Sequence, residues 1–233
     1  MPVDPWRGGS SAGEYGDFVQ QLDASVGRLM ATLDSMGMRD NTIVVFTSDN
    51  GPYWRSDYIS KYGHRSAGPF RGMKGDAFEG GHRVPFIVRW PGRVAPGTVS
   101  AATTTLANLM ATVADITETH NRKYAVEDSY SILPVLTGKV DRVQGQPAVV
   151  HHSSAGMFAL RLGDWKLIDG LGSGGFTVPR FVKQQPGGPA VQLFNLRDDP
   201  GETKDLAGEH PDKVAELKAM LERIRSARVR VSD

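Results

Sequence analysis

Two oxygen-bearing side chains, Asp49 and Asn50, stand side by side just after the uninterrupted apolar run Ile43-Val44-Val45-Phe46. A short β-branched and aromatic run without alternation predicts a strand buried on both faces of a sheet. A carboxylate and a carboxamide at its carboxyl end then stand where open α/β sheets place their ligands. Two adjacent oxygen donors make a candidate half-site for a hard divalent cation. Asp-Asn-Gly is also a turn sequence in its own right, with Gly51 supplying the positive φ, so the pair alone leaves both readings open. The second candidate is Lys74, flanked by Gly72 and Gly75. A lysine between glycines can approach an anion closely, and a surface turn is the alternative. Glu79, His82 and Arg83 follow just before a second apolar run and suit loop-fixing hydrogen bonds and an ion pair. His82 has no second histidine nearby at metal-ligand spacing.

The elements that must position these residues alternate in an α/β manner. Tyr15, Phe18, Val19, Leu22, Val26, Leu29, Met30, Leu33 and Met36 recur at helical spacing and predict an amphipathic helix closed by Gly37. Asp23 lies beside that stripe, where it either contacts the site or is held by a local hydrogen bond. A turn at 39–41 leads into the first strand. Residues 53–70 are aperiodic and predict a long loop, with Trp54, Arg55, Tyr58, Lys61, His64 and Arg65 as candidate pocket-lining side chains. A second buried strand is expected over 84–90. A core-facing helix follows through Leu106, Leu109, Met110, Val113 and Ile116, then a helical turn at 131–136. Beyond a boundary near 144–147, short apolar runs at 148–151, 157–162, 165–168 and 191–196 predict a small antiparallel sheet. A last helix begins near Pro211, with Val214, Leu217, Leu221 and Ile224 as its inner stripe. Two domains are therefore expected, 1–145 and 146–233.

Composition narrows the function. Lys plus Arg number 27 against 26 for Asp plus Glu, so no overall field favours nucleic acid or a membrane surface. The absence of cysteine excludes disulfides, thiolate metal sites and a cysteine nucleophile within these 233 residues. No apolar run approaches membrane-spanning length, and no targeting signal follows Met1.

Three long segments carry a resemblance. YGDFVQQLDASVGRLMATLDSMGMRDNTIVVFTSDNGP (15–52), RGMKGDAFEGGHRVPFIVRWPGRVAPGT (71–98) and LFNLRDDPGETKDLA (193–207) occur in the order found in the sulfatase family of the alkaline-phosphatase-like superfamily. The chain resembles that family's carboxyl-terminal half. The resemblance implies a partial sulfatase α/β sheet flanked by helices, with a small C-terminal antiparallel sheet plus helix. It implies that Asp49 and Asn50 are ligands to Ca²⁺ or Mg²⁺ and that Lys74 is the catalytic lysine that hydrogen-bonds the sulfate ester, Glu79, His82 and Arg83 having structural or pocket-shaping roles. The substrates it implies are small sulfate esters or sulfated carbohydrates, and the location periplasmic or extracellular.

The family's nucleophile is a formylglycine made from the Cys or Ser of a Cys/Ser-X-Pro-X-Arg motif, and no such motif occurs here. The nearest fragment, Thr177-Val178-Pro179-Arg180, has the wrong spacing and position. The acidic pair that completes the family's metal site is also missing. The expected polypeptide is therefore part of a sulfuric ester hydrolase and inactive alone, with sheet edges open to self-association. The alternatives are a non-catalytic binding or assembly module, or a phosphodiesterase or phosphonate hydrolase of the same superfamily. The latter is disfavoured by the Glu-Gly-Gly-X-Arg-X-Pro and Asp-Pro-Gly-Glu signatures.

Overall fold

The computed structural model describes residues 2–55, 57–119 and 128–227; the last six residues of the expected second domain thus lie outside the described residues. Helix α1 (Gly13–Ser35) ends ahead of Gly37, whose φ of 68° is the left-handed turn expected of a glycine stop. A 3-10 turn at Arg39–Asn41 leads into β1 (Val44–Thr47). After α2 (Tyr58–Tyr62) and the single turn α3 (Glu79–His82), β2 (Phe86–Arg89) pairs antiparallel with β1, Val45 opposite Val88 and Phe46 opposite Ile87. Arg89 donates to Asp34 at 2.7 Å, tying this hairpin-like pair to α1.

The expectation of strands buried on both faces is corrected here. Val45 and Ile87 are 37% and 61% exposed, because among the described residues β1 and β2 pair only with each other. The apolar stripe of α1 is likewise open at Phe18, Val19, Leu22, Leu29 and Met36, and its one buried residue is Asp17. That carboxylate accepts from the backbone of Gly8 and Ser10 at 2.8 Å each and fastens the first loop to the helix.

Helix α4 (Asn108–Ile116) also departs from its expected orientation. Met110 and Val113 are exposed, whereas Asn108 and Thr112 are buried. The two polar residues, one helical turn apart, serve the next segment. Asn108 accepts from Tyr130 N and donates to Gln146 Oε1, and Thr112 Oγ1 accepts from Ile132 N. Buried backbone donors of an irregular stretch need partners, and that need outweighs the apolar periodicity. Helix α5 (Leu133–Leu136) closes this part of the chain.

The four-stranded antiparallel sheet β3 (Val149–His152), β4 (Phe158–Leu162), β5 (Trp165–Ile168) and β6 (Gln192–Asn195) runs in sequence order. Its two faces do different work. Leu160, Leu167 and Leu193 lie in one cross-strand row and pack under Leu217 and Leu221 of α6 (Pro211–Ser226). Complete burial of each leucine contributes about 1.5–3 kcal/mol. The other face carries Ala159, Ile168 and Phe194, and it is covered by Ala77 and Phe78 from the segment that bears Lys74. The sheet is thus a middle layer with the C-terminal helix on one side and the candidate site's loop on the other. Among the described residues no helix is long and apolar enough to cross a membrane.

Candidate functional site

Three glycines let the two signature segments cross. Strand β1 ends at Thr47, and the chain turns through Asp49 and Asn50 into Gly51, which is buried. Gly51 N donates to Gly81 O at 2.9 Å, and Lys74 N donates to Pro52 O at 2.9 Å. A Cβ on Gly51 would stand 1.9 Å from Gly80 O; one on Gly80 would stand 2.4 Å from Gly72 O, and one on Gly81 2.3 Å from Asp76 O. Only residues without side chains fit. The backbone contacts therefore hold the Asp49-Asn50 turn and the Lys74 turn against each other.

At the turn itself, Ser48 Oγ donates to Asn50 O at 3.1 Å and Asn50 Nδ2 donates to Gly51 O at 2.9 Å. With its nitrogen so engaged, the Asn50 carboxamide has its oxygen left for a cation. Asp49 is exposed, with one long contact from Ser48 Oγ at 3.4 Å. These are hard oxygen donors of the kind Ca²⁺ and Mg²⁺ take, but two protein ligands fall short of the six or more such ions complete. Among the described residues no group of three or more His, Asp or Glu side chains gathers to hold a metal ion.

Lys74 is exposed, while the turn beneath it is fixed by Asp76, which is fully buried. The Asp76 carboxylate accepts from Met73 N at 2.9 Å on its own loop. From 100 residues downstream it accepts Phe176 N at 2.6 Å, Thr177 N at 3.0 Å and Thr177 Oγ1 at 2.5 Å. Charge-assisted bonds to a carboxylate are about twice as strong as neutral ones. Asp76 is thus the clamp between the Lys74 turn and the 170–177 loop, reinforced by Ala77 N donating to Ser173 O.

Glu79 anchors the rest. Arg161 and Lys166 are direct cross-strand neighbours on β4 and β5, an unfavourable pairing of like charges unless an anion lies over it. Glu79 supplies that anion, meeting Lys166 at 2.9 Å, Arg161 at 3.2 Å and Arg83 at 2.6 Å. Lys166, fully buried, also pairs with Glu202 at 2.9 Å, and Glu202 Oε2 accepts Glu79 N at 2.6 Å, capping α3. Arg71 donates to Glu202 O at 2.8 Å. Burial would push the Glu79 carboxyl up, but Lys166 and Arg83 outweigh it and hold it at about 2. Burial raises Glu202 above the ordinary carboxylate value, with Lys166 pulling the other way.

The His82 and His151 rings are in contact, centroids 3.8 Å apart and planes tilted by 47°, and His82 Nε2 and His151 Nδ1 are enclosed with no hydrogen-bond partner among the described residues. Burial, with Lys166 adding to it, lowers His82 to about 4, and burial and Lys166 put His151 well below its ordinary value. Both rings are therefore neutral near pH 7.

The structure brings Asp49, Asn50 and Lys74 onto adjoining turns and places Glu79 and Arg83 in one ion-pair network. The loop candidates divide. Trp54, Arg55 and Tyr58 join Tyr15 and Phe18 of α1 around a cavity of about 350 Å³, Lys61 lies over the Tyr62 ring, and His64 leans on Tyr15. A larger depression of about 920 Å³ is formed by residues 138–146 and contains none of the candidate site residues. Sequence reasoning did not single out Asp76, Lys166, Glu202 or Phe176. A carboxylate among glycines resembles any turn residue, and Lys166 sits at an apparently outward strand position.

The mixed α/β fold, with its antiparallel sheet and carboxyl-terminal helix, is that of the alkaline-phosphatase-like hydrolases. The family model named Sulfatase matches residues 4–119. An N-acetylgalactosamine-6-O-sulfatase of Bacteroides thetaiotaomicron is 34% identical over 232 residues, covering 97% of this chain and 44% of that protein. Human arylsulfatase A is 31% identical over 228 residues, covering 91% of this chain and 43% of that protein. A solved structure from work on glycosaminoglycan metabolism by Bacteroides thetaiotaomicron superposes with a TM-score of 0.83 at 33% identity, over 96% of this chain and 47% of the other. The chain belongs to the sulfatase family. It spans less than half the length of these curated relatives.

Proposed function

We propose that this chain supplies the Asp49-Asn50 half of a Ca²⁺ or Mg²⁺ site and the Lys74 ammonium to the hydrolysis of sulfate monoesters. The observation that carries the proposal is the glycine crossing, in which Gly51 N bonds Gly81 O and Lys74 N bonds Pro52 O. It supports this reading by bringing the backbone that carries Lys74 against the backbone that carries Asp49 and Asn50. A sulfate monoester accumulates negative charge on its leaving oxygen as it breaks, and preorganised cations and donors lower that barrier. A bound divalent ion supplies Lewis-acid stabilisation of that charge. The Lys74 ammonium donates a hydrogen bond to an ester oxygen. Asp76 keeps the lysine's turn in place, and the Glu79 network fixes that turn's far end to the sheet.

The formylglycine of the family has no counterpart motif in these 233 residues, so this polypeptide by itself binds and does not turn over. The bacterial relative is named for N-acetylgalactosamine 6-sulfate and the human one for aryl sulfates. A sulfated sugar or a small aryl sulfate is the corresponding substrate class here. Calorimetric titration with CaCl₂ is expected to give a Kd of about 1 mM or weaker, because so few ligands come from the chain, and Asp49→Ala abolishes it. Inorganic sulfate binding is expected to be lost in Lys74→Ala. Micromolar calcium affinity, hydrolysis of 4-nitrophenyl sulfate, or sulfate binding indifferent to Lys74 contradicts the proposal.

A further inference from the structure

Beside Lys74 two aromatic rings stand in the open. Tyr53 follows Pro52, whose carbonyl takes the Lys74 amide. Phe176 lies across Gly75, where an added Cβ would come within 3.4 Å of its ring. The rings meet edge to face, centroids 6.1 Å apart at 90°, and are 55% and 51% exposed. Neither is a core residue. Phe176 is nevertheless held firmly, since its own amide and both Thr177 donors end on buried Asp76. Gly175 lies directly under it, where a Cβ would stand 2.2 Å from Gly75 O. A corner of two aromatic rings against the turn that carries Lys74 is suited to a flat ring carried on the ester oxygen.

We infer that Tyr53 and Phe176 form the leaving-group subsite, selecting sulfate esters whose alcohol bears a ring over inorganic sulfate or open-chain esters. The inference rests on the proposed role of Lys74 and goes beyond it by assigning specificity to two residues outside the three signature segments' charged groups. Two sources share the required chemistry: an aryl ring, stacking edge to face, and a pyranose, laying its C–H face on an aromatic plane.

The test uses the full chain in calcium-containing buffer, titrated by NMR with inorganic sulfate, methyl sulfate, phenyl sulfate and N-acetylgalactosamine 6-sulfate. At least one ring-bearing ester is expected to bind about fivefold tighter than inorganic sulfate, the gain of one aromatic pair. Phe176→Ala and Tyr53→Ala bring that preference to within about twofold, leave inorganic sulfate affinity unchanged, and so show the fold intact. Phe176→Trp restores the preference. Val178→Ala, which removes the 86% exposed valine two residues on, changes nothing. A gain confined to phenyl sulfate identifies an aryl leaving group, and one confined to the amino sugar identifies a carbohydrate. No ring preference in the wild type, or equal weakening of all four ligands by Phe176→Ala, overturns the inference while the Lys74 assignment survives. Inorganic sulfate binding unaltered in Lys74→Ala removes the basis of both.

Discussion

The glycine crossing makes a sharp demand on a single methyl group. In Gly51→Ala the new Cβ starts 1.9 Å from Gly80 O and 2.8 Å from Gly81 C, against the 3.4 Å or more of ordinary contact. Both neighbours are backbone, so no side-chain rotation relieves the overlap and the two turns must separate by more than about 1 Å. Overpacking of this kind costs about 1–3 kcal/mol. The Gly51 N to Gly81 O hydrogen bond is lost with it, a further ~0.5–1.5 kcal/mol. The expected loss is about 2–4 kcal/mol. Gly27→Ala is the counterpart. Gly27 lies inside α1 with nothing within 4 Å of its built Cβ, so alanine is expected to stabilise by about 0.5–1 kcal/mol. Urea unfolding followed by circular dichroism measures both, and sulfate titration of Gly51→Ala reports whether Lys74 has moved from Asp49. A Gly51→Ala loss below about 0.5 kcal/mol, or a Gly27→Ala loss of similar size to it, would refute the crossing as the constraint that assembles the site.

Lys166→Met leaves Glu79 and Glu202 buried beside each other without their shared cation; the expected cost is about 3–5 kcal/mol, and urea denaturation at pH 7 checks it. His82 is neutral in the fold down to about pH 4 and protonates near 6.5 when unfolded. Its contribution is therefore fully present above pH 6.5, is lost as pH falls towards 4, and amounts to on the order of 3 kcal/mol. His82→Gln should reduce the slope of the stability profile in that window, the remainder coming from His151. Glu79 acts lower, its stabilisation disappearing as pH falls from about 4.5 to about 2, so the two groups separate along one pH series. The open apolar positions of α1 and the β1-β2 pair should make the polypeptide associate with rising concentration. Light scattering from a monodisperse monomer across the range would contradict this.

Much of the local structure was legible in the residues, and the reasons for the gaps are physical. Pro211 and the Val214, Leu217, Leu221, Ile224 spacing marked α6, because that helix has one partner, the leucine face of the sheet. The four C-terminal strands were bounded by their turn residues to within a position or two. Lys166 defeats alternation. It sits between Trp165 and Leu167 as an outward residue should, yet the outward face is covered by the Glu79 turn, so the lysine is buried against carboxylates. Met110 and Val113 defeat periodicity in the other direction, since the α4 face that turns inward is chosen by Asn108 and Thr112 and the amides they serve. The positions of Asp49 and Asn50 on one motif and of Lys74 on another were visible. Their meeting depends on Gly51, Gly80 and Gly81 fitting together across 30 residues, and no single segment encodes that.

The Asp76 clamp also sets an order in time. Its Phe176 and Thr177 partners are translated 100 and 101 residues after it, and Glu202, which caps α3, arrives 123 residues after Glu79. At about 5–20 residues per second, a ribosome takes at least about 5 s to deliver the first fastening and longer for the second. A nascent chain that already displays Asp49 and Lys74 thus lacks both fastenings, and any truncation ahead of residue 176 leaves the Lys74 turn without its Asp76 clamp.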